Sequence, residues 1–459
     1  MDLRSLPSVA ALLESPEGLE MSRQFSRTAV RRAVREVLET TRQEIRSSTR
    51  KSETLSSDRL LATVQKHLEV SSRPEIPRVI NATGIILHTN LGRSLLSDTA
   101  QKAMLAAATH PVALEFDLKT GRRGHRDNHI RDCLQALTGA EDALAVNNNA
   151  AALMLAVDTL AHRREVIVSR GELIEIGGNF RLPDILRRSG AILREVGTTN
   201  RTRLSDISEA ITRRTALILR AHPSNYRITG FTEMPDRNEL VALARQTGVP
   251  LMEDLGSGAL LDLRTAGLPD EPVVRTSIES GVDLVSFSGD KLMGGPQAGL
   301  IVGRRDLVTA MNQNPLKRAL RLDKMTIAAL RATLVTLDSD PDALNTLPMM
   351  RFLMRTPAVL ENLAEEGCRL LQAHLGSDFT CRIVSSTAEV GSGAQPTLPI
   401  SSRALTVIHR NWPAETTAAF FRSADPPILG RIQQEEFRLE LHAVELPADL
   451  LPKHAELPS

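Results

Sequence analysis

Lys291 stands in the run Ser286-Phe287-Ser288-Gly289-Asp290-Lys291-Leu292-Met293-Gly294-Gly295, where an apolar stretch delivers an amine into a glycine-rich turn. Burial disfavours the ammonium form, so a desolvated lysine there can attack an aldehyde and afterwards carry a proton. A Walker-type phosphate loop needs its lysine after the second glycine, and this lysine precedes the glycine pair, so that reading fails. Taken alone, the residue is equally compatible with an exposed lysine beside a turn. Two more clusters bear on it. Pro250-Leu251-Met252-Glu253-Asp254-Leu255-Gly256 is an apolar run that ends in acids and a glycine. A carboxylate at such an end can keep a pyridinium nitrogen protonated, and Asp254 is the candidate because Glu253, one residue earlier, points to the other side of a strand. An acid there is also compatible with a metal ligand or a helix cap, but a magnesium site would need further carboxylates and only Asp290 is at hand, so no metal is expected. The third cluster, Asn147-Asn148-Asn149-Ala150-Ala151, follows an apolar run and opens a helical one. Helix N-termini offer unpaired N–H groups and a positive dipole end to a phosphate, although an Asn-rich turn is also an ordinary N-cap.

Phosphate turn, pyridinium acid and Schiff-base lysine, in that chain order and each preceded by an apolar run, point to pyridoxal 5'-phosphate as the cofactor. Ser286 and Ser288 offer hydroxyls to its phosphate, and His222, Ser224, Asn225 and Tyr226, after another apolar run, can line it. The order and spacing resemble those of the aspartate-aminotransferase-like class, fold type I.

The elements that must hold these groups follow from the texture of the chain. Short apolar runs at 143–146, 165–169, 192–196, 216–219, 250–253, 284–287 and 300–302 alternate with helical stretches, which predicts an α/β domain with a mainly parallel seven-stranded sheet. Ligands of such sheets bind beyond the carboxyl ends of the strands, where all three clusters fall. Residues 1–75 read as a helical domain and linker, with Leu12, Leu13, Val30, Val34, Val37, Leu38, Leu60, Leu61, Val64 and Leu68 at helical spacing, closed by Pro74 and Pro77. Residues 76–330 form the expected catalytic domain, and 331–459 a small C-terminal α+β domain with helices at 327–337 and 360–375. The run Gly391-Ser392-Gly393-Ala394-Gln395-Pro396 reads as a loop.

On the second helix Arg23, Arg27, Arg31 and Arg35 recur every four residues, joined by Arg32 and followed by Arg42, Arg46, Arg50 and Lys51. Residues four apart share a helix face, so this is a basic ridge: either a solvated surface partly neutralised by Glu36, Glu39 and Glu44, or a surface for a phosphate backbone. The net charge of the 459-residue chain is only +1, so nucleic-acid affinity must come from such a patch. With one Tyr and one Trp, any RNA would be held mostly by charge and shape. No apolar stretch approaches the roughly 20 residues of a membrane span, and the start lacks a secretory core, which predicts a cytoplasmic protein. Cys133, Cys368 and Cys381 are odd in number and widely spaced, against a disulfide framework or zinc ribbon.

Longer motifs carry a more specific resemblance. The runs Arg78-Val79-Ile80-Asn81-Ala82-Thr83-Gly84, Leu87-His88-Thr89-Asn90-Leu91-Gly92-Arg93, Val168-Ser169-Arg170-Gly171-Glu172-Leu173, Glu195-Val196-Gly197-Thr198-Thr199-Asn200-Arg201-Thr202 and Phe287-Ser288-Gly289-Asp290-Lys291 resemble those of bacterial selenocysteine synthases, over nearly the whole chain. The resemblance implies conversion of L-seryl-tRNA(Sec) to L-selenocysteyl-tRNA(Sec): the cofactor-bound serine loses its α-proton and hydroxyl to give a dehydroalanyl intermediate, and selenium from selenophosphate adds. It implies that Lys291 is the base, Asp290 an acid for hydroxide departure, and Arg93, Arg318 and Arg321 the pocket for the anionic donor. It further implies dimers with active sites at subunit interfaces, assembled into a larger ring such as a decamer. Arg122, Arg123 and Arg126 form a second basic cluster that fits either a neighbouring subunit or the tRNA acceptor end. Two departures from the family pattern stand out, Pro223 in place of a threonine and Leu439-Glu440-Leu441-His442 in place of Leu-Asp-Leu-Arg. The competing reading keeps the cofactor and assigns a lyase acting on a small hydroxy acid, amino acid or amino-sugar acid; the basic ridge argues against it.

Overall fold

A computed structural model of the chain describes residues 6–46, 56–72, 76–176, 180–264, 267–268, 271–391 and 399–455. Arg50, Lys51, Pro74 and the 392–396 part of the expected loop lie outside the described residues. The chain divides into two compact units, Met1–Arg78 and Val79–Ser459.

Among the described residues the first unit holds four helices, α1 (Val9–Glu14), α2 (Pro16–Phe25), α3 (Arg27–Arg46) and α4 (Ser57–Ser71). Ser8 and Ser15 cap the first two by accepting the N–H groups of Ala11 and Gly18, and Pro16 occupies the first turn of α2 where no N–H is needed. The apolar residues picked out by their spacing are its core: Leu12, Leu13, Val30, Val34, Val37, Leu38, Leu60, Leu61, Val64 and Leu68 are all buried. The basic ridge needs correction. Arg23 and Arg27 are on different helices, because Ser26 takes a positive φ (φ 69°, ψ 141°) between α2 and α3. A non-glycine residue at positive φ is uncommon, so the break is a defined corner, with the Ser26 hydroxyl accepting the N–H of Ala29. Arg23 ends α2 in an ion pair with Glu20 at 2.8 Å, while Arg27, Arg31, Arg32 and Arg35 are exposed on α3.

The centre of the second unit is a sheet of β1 (Asp142–Val146), β2 (Glu165–Ser169), β3 (Ile192–Val196), β4 (Thr215–Ala221), β5 (Leu251–Gly256), β6 (Leu284–Ser288) and β7 (Gly299–Gly303), in the spatial order β1-β7-β6-β5-β4-β2-β3. Only β7 runs antiparallel to its neighbours. All seven expected strands are present within a few residues of their expected ends. Apart from the edge strand Ile192–Val196, which is mostly exposed or half-buried, they were legible as apolar runs because helices cover both faces. Leu144, Val146, Leu219, Met252 and Leu284 pack with the helix Asn149–Ala161 on one face. Ala143, Ala145, Ile218, Leu251 and Val285 pack on the other with side chains from the helices Asn128–Thr138, Arg237–Thr247 and Lys324–Ser339. Each fully buried Leu, Ile or Val contributes about 1.5–3 kcal/mol.

A smaller lobe carries an antiparallel sheet of β8 (Phe379–Ala388), β9 (Ile400–His409), β10 (Arg431–Gln433) and β11 (Glu436–Glu440), ordered β8-β9-β11-β10, against the helix Pro357–Leu375. The helix Lys324–Ser339 runs through residue 330 and packs on Asp98–Thr109 and Asn128–Thr138 of the large lobe. The chain from residue 80 begins in the small lobe, where Ile80–Asn81 pairs with Ile428–Leu429. The unusual Glu440 and His442 are both buried there: Glu440 faces Arg431 at 2.7 Å and accepts from Ser386 Oγ at 2.6 Å, and His442 Nδ1 lies 3.3 Å from Ser402 Oγ. No helix among the described residues is long and apolar enough to cross a membrane.

Candidate active site

The asparagine turn leaves β1 and enters the helix Asn149–Ala161, and its three side chains have separate duties. Asn148 is the N-cap and accepts the N–H of Ala151 at 2.9 Å. Asn147 braces the turn: its amide nitrogen donates to the carbonyls of Leu320 (2.9 Å) and Arg321 (3.1 Å). Asn149 Nδ2 reaches across to Asp254 Oδ1 at 2.7 Å. A phosphate at this turn would therefore be held by backbone N–H groups of the first helical turn and the dipole behind them. Gly299, opening β7, lets the turn sit where it does; a Cβ there would lie 2.0 Å from the Asn148 carbonyl oxygen.

Asp254 lies near the end of β5 on the face of the Asn149 helix, while Glu253 turns to the opposite face between Arg220 (3.0 Å) and Arg237 (2.9 Å), the alternation expected of a strand. Ser286 Oγ, on β6, donates to Asp254 Oδ1 at 3.2 Å, and the Asp254 carbonyl accepts the His222 N–H at 2.9 Å. Burial pushes the Asp254 carboxyl up, opposed by the donors from Asn149 and Ser286 and by the charge of Lys291. Lys291 itself is buried, and its amine is shifted down by burial first and by Arg93 second, against the pull of Asp254 and Asp290. A Cβ on Gly256 would come 4.0 Å from Lys291 Nζ and 3.8 Å from Ser224 Oγ, so the end of β5 forms a floor directly under the amine. Burial, then Arg220, pushes the His222 imidazole down to about 4, leaving it neutral at pH 7. Ser288 is buried at the end of β6, its carbonyl so close to Gly258 that a Cβ there would lie 2.2 Å away.

Lys291, Asp254, Asn149, Ser286, Ser224 and His222 thus meet at the carboxyl ends of β1, β4, β5 and β6. Around them, Asn149 Oδ1, Ser257 Oγ, Ser94 Oγ and His88 Nδ1 are buried without hydrogen-bond partners. Buried polar atoms are ordinarily satisfied, so four orphans beside a desolvated amine fit a polar ligand bearing an aldehyde, a ring nitrogen and a phosphate.

The predicted anion pocket is divided. Arg93 takes a left-handed conformation (φ 64°) after the Thr89–Leu91 turn and pairs with Asp290, Nη1 to Oδ2 at 2.8 Å, while the Ser94 N–H donates to the Asp290 carbonyl. Arg93 and Asp290 are therefore one unit beside Lys291. Arg318 and Arg321 instead line a cavity of about 390 Å³ with Arg123, Arg126 and Lys317, whose walls do not include Arg93. Its organising acid, Glu115, was not singled out from sequence. It pairs with Arg321 (3.2 Å), Arg123 (3.1 Å) and Arg126, and its carboxyl is held below the usual range by Arg126 above all. Lys317, on the helix Pro315–Leu320, is buried against Asp127 at 2.9 Å. An acid among scattered arginines gives no periodic signal, which is why Glu115 was missed.

Strand order, buried lysine, acid on the neighbouring strand and capped helix turn define a pyridoxal-phosphate enzyme of the aspartate-aminotransferase-like fold. The solved structure of D-glucosaminate-6-phosphate ammonia-lyase has the same fold, with a TM-score of 0.58 and 21% identity, covering 82% of this chain and 95% of that one. The L-seryl-tRNA selenium transferase family profile matches residues 79–445, and that of the selenocysteine synthase N-terminal region matches residues 3–42. The chain belongs to the L-seryl-tRNA selenium transferase family. Among its relatives, the L-seryl-tRNA(Sec) selenium transferase of Carboxydothermus hydrogenoformans is 45% identical over 96% of this chain and 94% of its own length. Those of Haemophilus influenzae (46% identical, 96% of each chain) and Methylocella silvestris (48%, 96% of this chain and 94% of that one) are similar.

Proposed function

We propose that this chain converts L-seryl-tRNA(Sec) to L-selenocysteyl-tRNA(Sec) with selenophosphate as donor, Lys291 carrying the cofactor. The observation that carries the reading is the convergence of a desolvated Lys291 with Asp254 and the Asn149 turn in a chain that matches its family over nearly its whole length. Bound pyridoxal phosphate draws electrons from Cα of the seryl group and so acidifies its α-proton and weakens the bond to its β-hydroxyl. Asp254 keeps the ring nitrogen protonated, positioned by Asn149 and Ser286. The first-turn N–H groups of the Asn149 helix hold the phosphate, with Ser286, Ser288 and His222 lining the rest. Lys291, its amine pushed down by burial, takes the α-proton. Asp290 assists departure of the hydroxide. Because Arg93 pairs with Asp290, an anionic donor arriving at Arg93 loosens that pair, which couples donor capture to the acid.

Arg318 and Arg321 serve the same anion from the neighbouring cavity, and a second copy of the chain brings the two halves together. The exposed apolar side chains Leu95, Met104, Leu105, Val112, Phe116 and Leu118 support such a contact, in a homodimer and then a decamer. Arg27, Arg31 and Arg35 on α3, with Arg23 beside them in sequence, hold the tRNA in the cytoplasm. The domain roles follow: 1–75 for tRNA, 76–330 for catalysis and 331–459 as the small lobe. The small-molecule lyase reading is not favoured by the relatives. The test is incubation of purified protein with seryl-tRNA(Sec) and selenophosphate; selenocysteyl-tRNA is expected, and its absence with a cofactor-loaded enzyme overturns the reading. Elution at monomer mass in gel filtration would remove the shared site.

A further inference from the structure

A cavity of about 590 Å³ opens at the carboxyl ends of β4 and β5 and the turn after β2. It shares His222 with the cofactor site, and its wall residue Leu255 precedes the Gly256 that underlies Lys291. The volume is in the range of about 300–1,000 Å³ typical of small-ligand pockets, large enough for one nucleoside. None of its residues has a role in the reaction as described apart from His222.

Its polar groups are built but incompletely used. Glu253, a wall residue, gives Oε1 to both Arg220 and Arg237, while its Oε2 is buried without a hydrogen-bond partner among the described residues. Glu172, from the Arg170-Gly171-Glu172 turn, is buried and accepts the Ala221 N–H at 3.4 Å. Burial pushes its carboxyl up to about 8, so at neutral pH it carries a proton and can donate. Tyr226, the only tyrosine of the chain, lies on the wall with its hydroxyl donating to the Gly171 carbonyl. Next to the wall residues Asn200 and Thr232, Phe231 is 84% exposed, with the Arg201 guanidinium 6.0 Å from its ring centre and its carbonyl held by Asn200 Nδ2 at 2.5 Å.

An acceptor beside a protonated acid is the complement of a base edge that pairs an exocyclic amine with a ring nitrogen, as adenine does. The serine of an aminoacyl-tRNA is esterified to the ribose of its terminal adenosine, so that nucleoside must lie within a few bonds of the amine of Lys291. Single-stranded RNA ends are read through base edges and by stacking on aromatic and guanidinium planes. We propose that this cavity receives the 3'-terminal adenosine of the seryl-tRNA, with Glu253 Oε2 accepting from the exocyclic amine, Glu172 donating to the ring nitrogen, and the Phe231–Arg201 pair stacking the preceding base. The proposal rests on seryl-tRNA being the substrate.

The experiment compares two seryl-tRNAs made by ligating a serylated 3' dinucleotide, one ending in adenosine and one in purine riboside, which lacks the amine. With wild-type enzyme the purine ending is expected to raise KM about 10- to 100-fold with little change in kcat, the scale on which a site built for a hydrogen bond rejects a substrate lacking it. Glu172→Gln, which keeps a donor, should retain the discrimination, and Glu172→Leu should raise KM for the adenosine substrate. Equal kcat/KM for both RNAs with wild-type enzyme overturns the proposal while leaving the substrate reading intact. Turnover of neither RNA overturns the substrate reading, and the proposal with it.

Discussion

At the scale of single residues, Lys291 and Asp290 are neighbours with separable roles. Lys291→Ala should lose the absorbance of the lysine-bound cofactor and lower turnover by at least 10²–10⁴-fold, the usual share of a positioned proton carrier. Asp290→Asn should keep that absorbance and still lower turnover; a variant that turns over normally removes Asp290 from the mechanism and leaves Lys291 in place. Glu172 makes a prediction of a different kind. Its folded pKa, about 8, lies above its ordinary value of 4.5, so the unfolded chain releases a proton that the folded chain retains. Its contribution is therefore fully present below about pH 4.5 and is lost as pH rises to about 8, at up to roughly 1.4 kcal/mol per pH unit. Denaturant midpoints at pH 5, 6.5 and 8 should converge on those of Glu172→Gln at low pH and fall below them at high pH. A gap that does not vary with pH would show that this carboxyl is not held neutral. His222 and His442, both pushed down to about 4, act at the other end and withdraw stability as pH falls below about 6.5 in wild type and variant alike.

At the scale of elements, the Ser26 corner sets how the basic surface is used. Arg27, Arg31 and Arg35 lie on one exposed helix face, whereas Arg23 is already paired with Glu20. Replacing the three by alanine should weaken tRNA binding and reduce the slope of log K against log salt by about 2 to 3, whereas Arg23→Ala alone should change it least. A triple variant with an unchanged slope would take the phosphates off α3. The same corner illustrates what the sequence hid. Four-residue spacing of arginines was legible, but a serine at positive φ inside an otherwise helical stretch leaves no periodic trace. The sheet was legible for the opposite reason, since strands buried on both faces read as unbroken apolar runs, and the lysine, acid and asparagine turn could be placed at their ends. The pairing of Arg93 with Asp290, and of three arginines with Glu115, was not legible, because it joins residues far apart in the chain through folding alone. The family resemblance put Arg93, Arg318 and Arg321 in one pocket, and the cavity lined by Arg318 and Arg321 does not include Arg93.

At the scale of the whole molecule, the brace formed by Asn147 joins parts with different tasks. Its backbone and side-chain nitrogens both bond to the end of the helix Pro315–Leu320, the helix that carries Arg318 and leads into Arg321. The turn proposed to cradle the cofactor phosphate and the helix that presents guanidinium groups are thus bonded directly to each other. An enzyme awaiting its cofactor should therefore hold its arginines less firmly and capture the donor less well. Calorimetric titration of inorganic phosphate, as a stand-in anion, into the cofactor-free and cofactor-loaded protein should give weaker binding to the former, and Asn147→Ala should narrow the difference; equal affinities would mean that the brace only supports the fold. An ordering of this kind would keep an anionic donor off protein molecules that lack the cofactor.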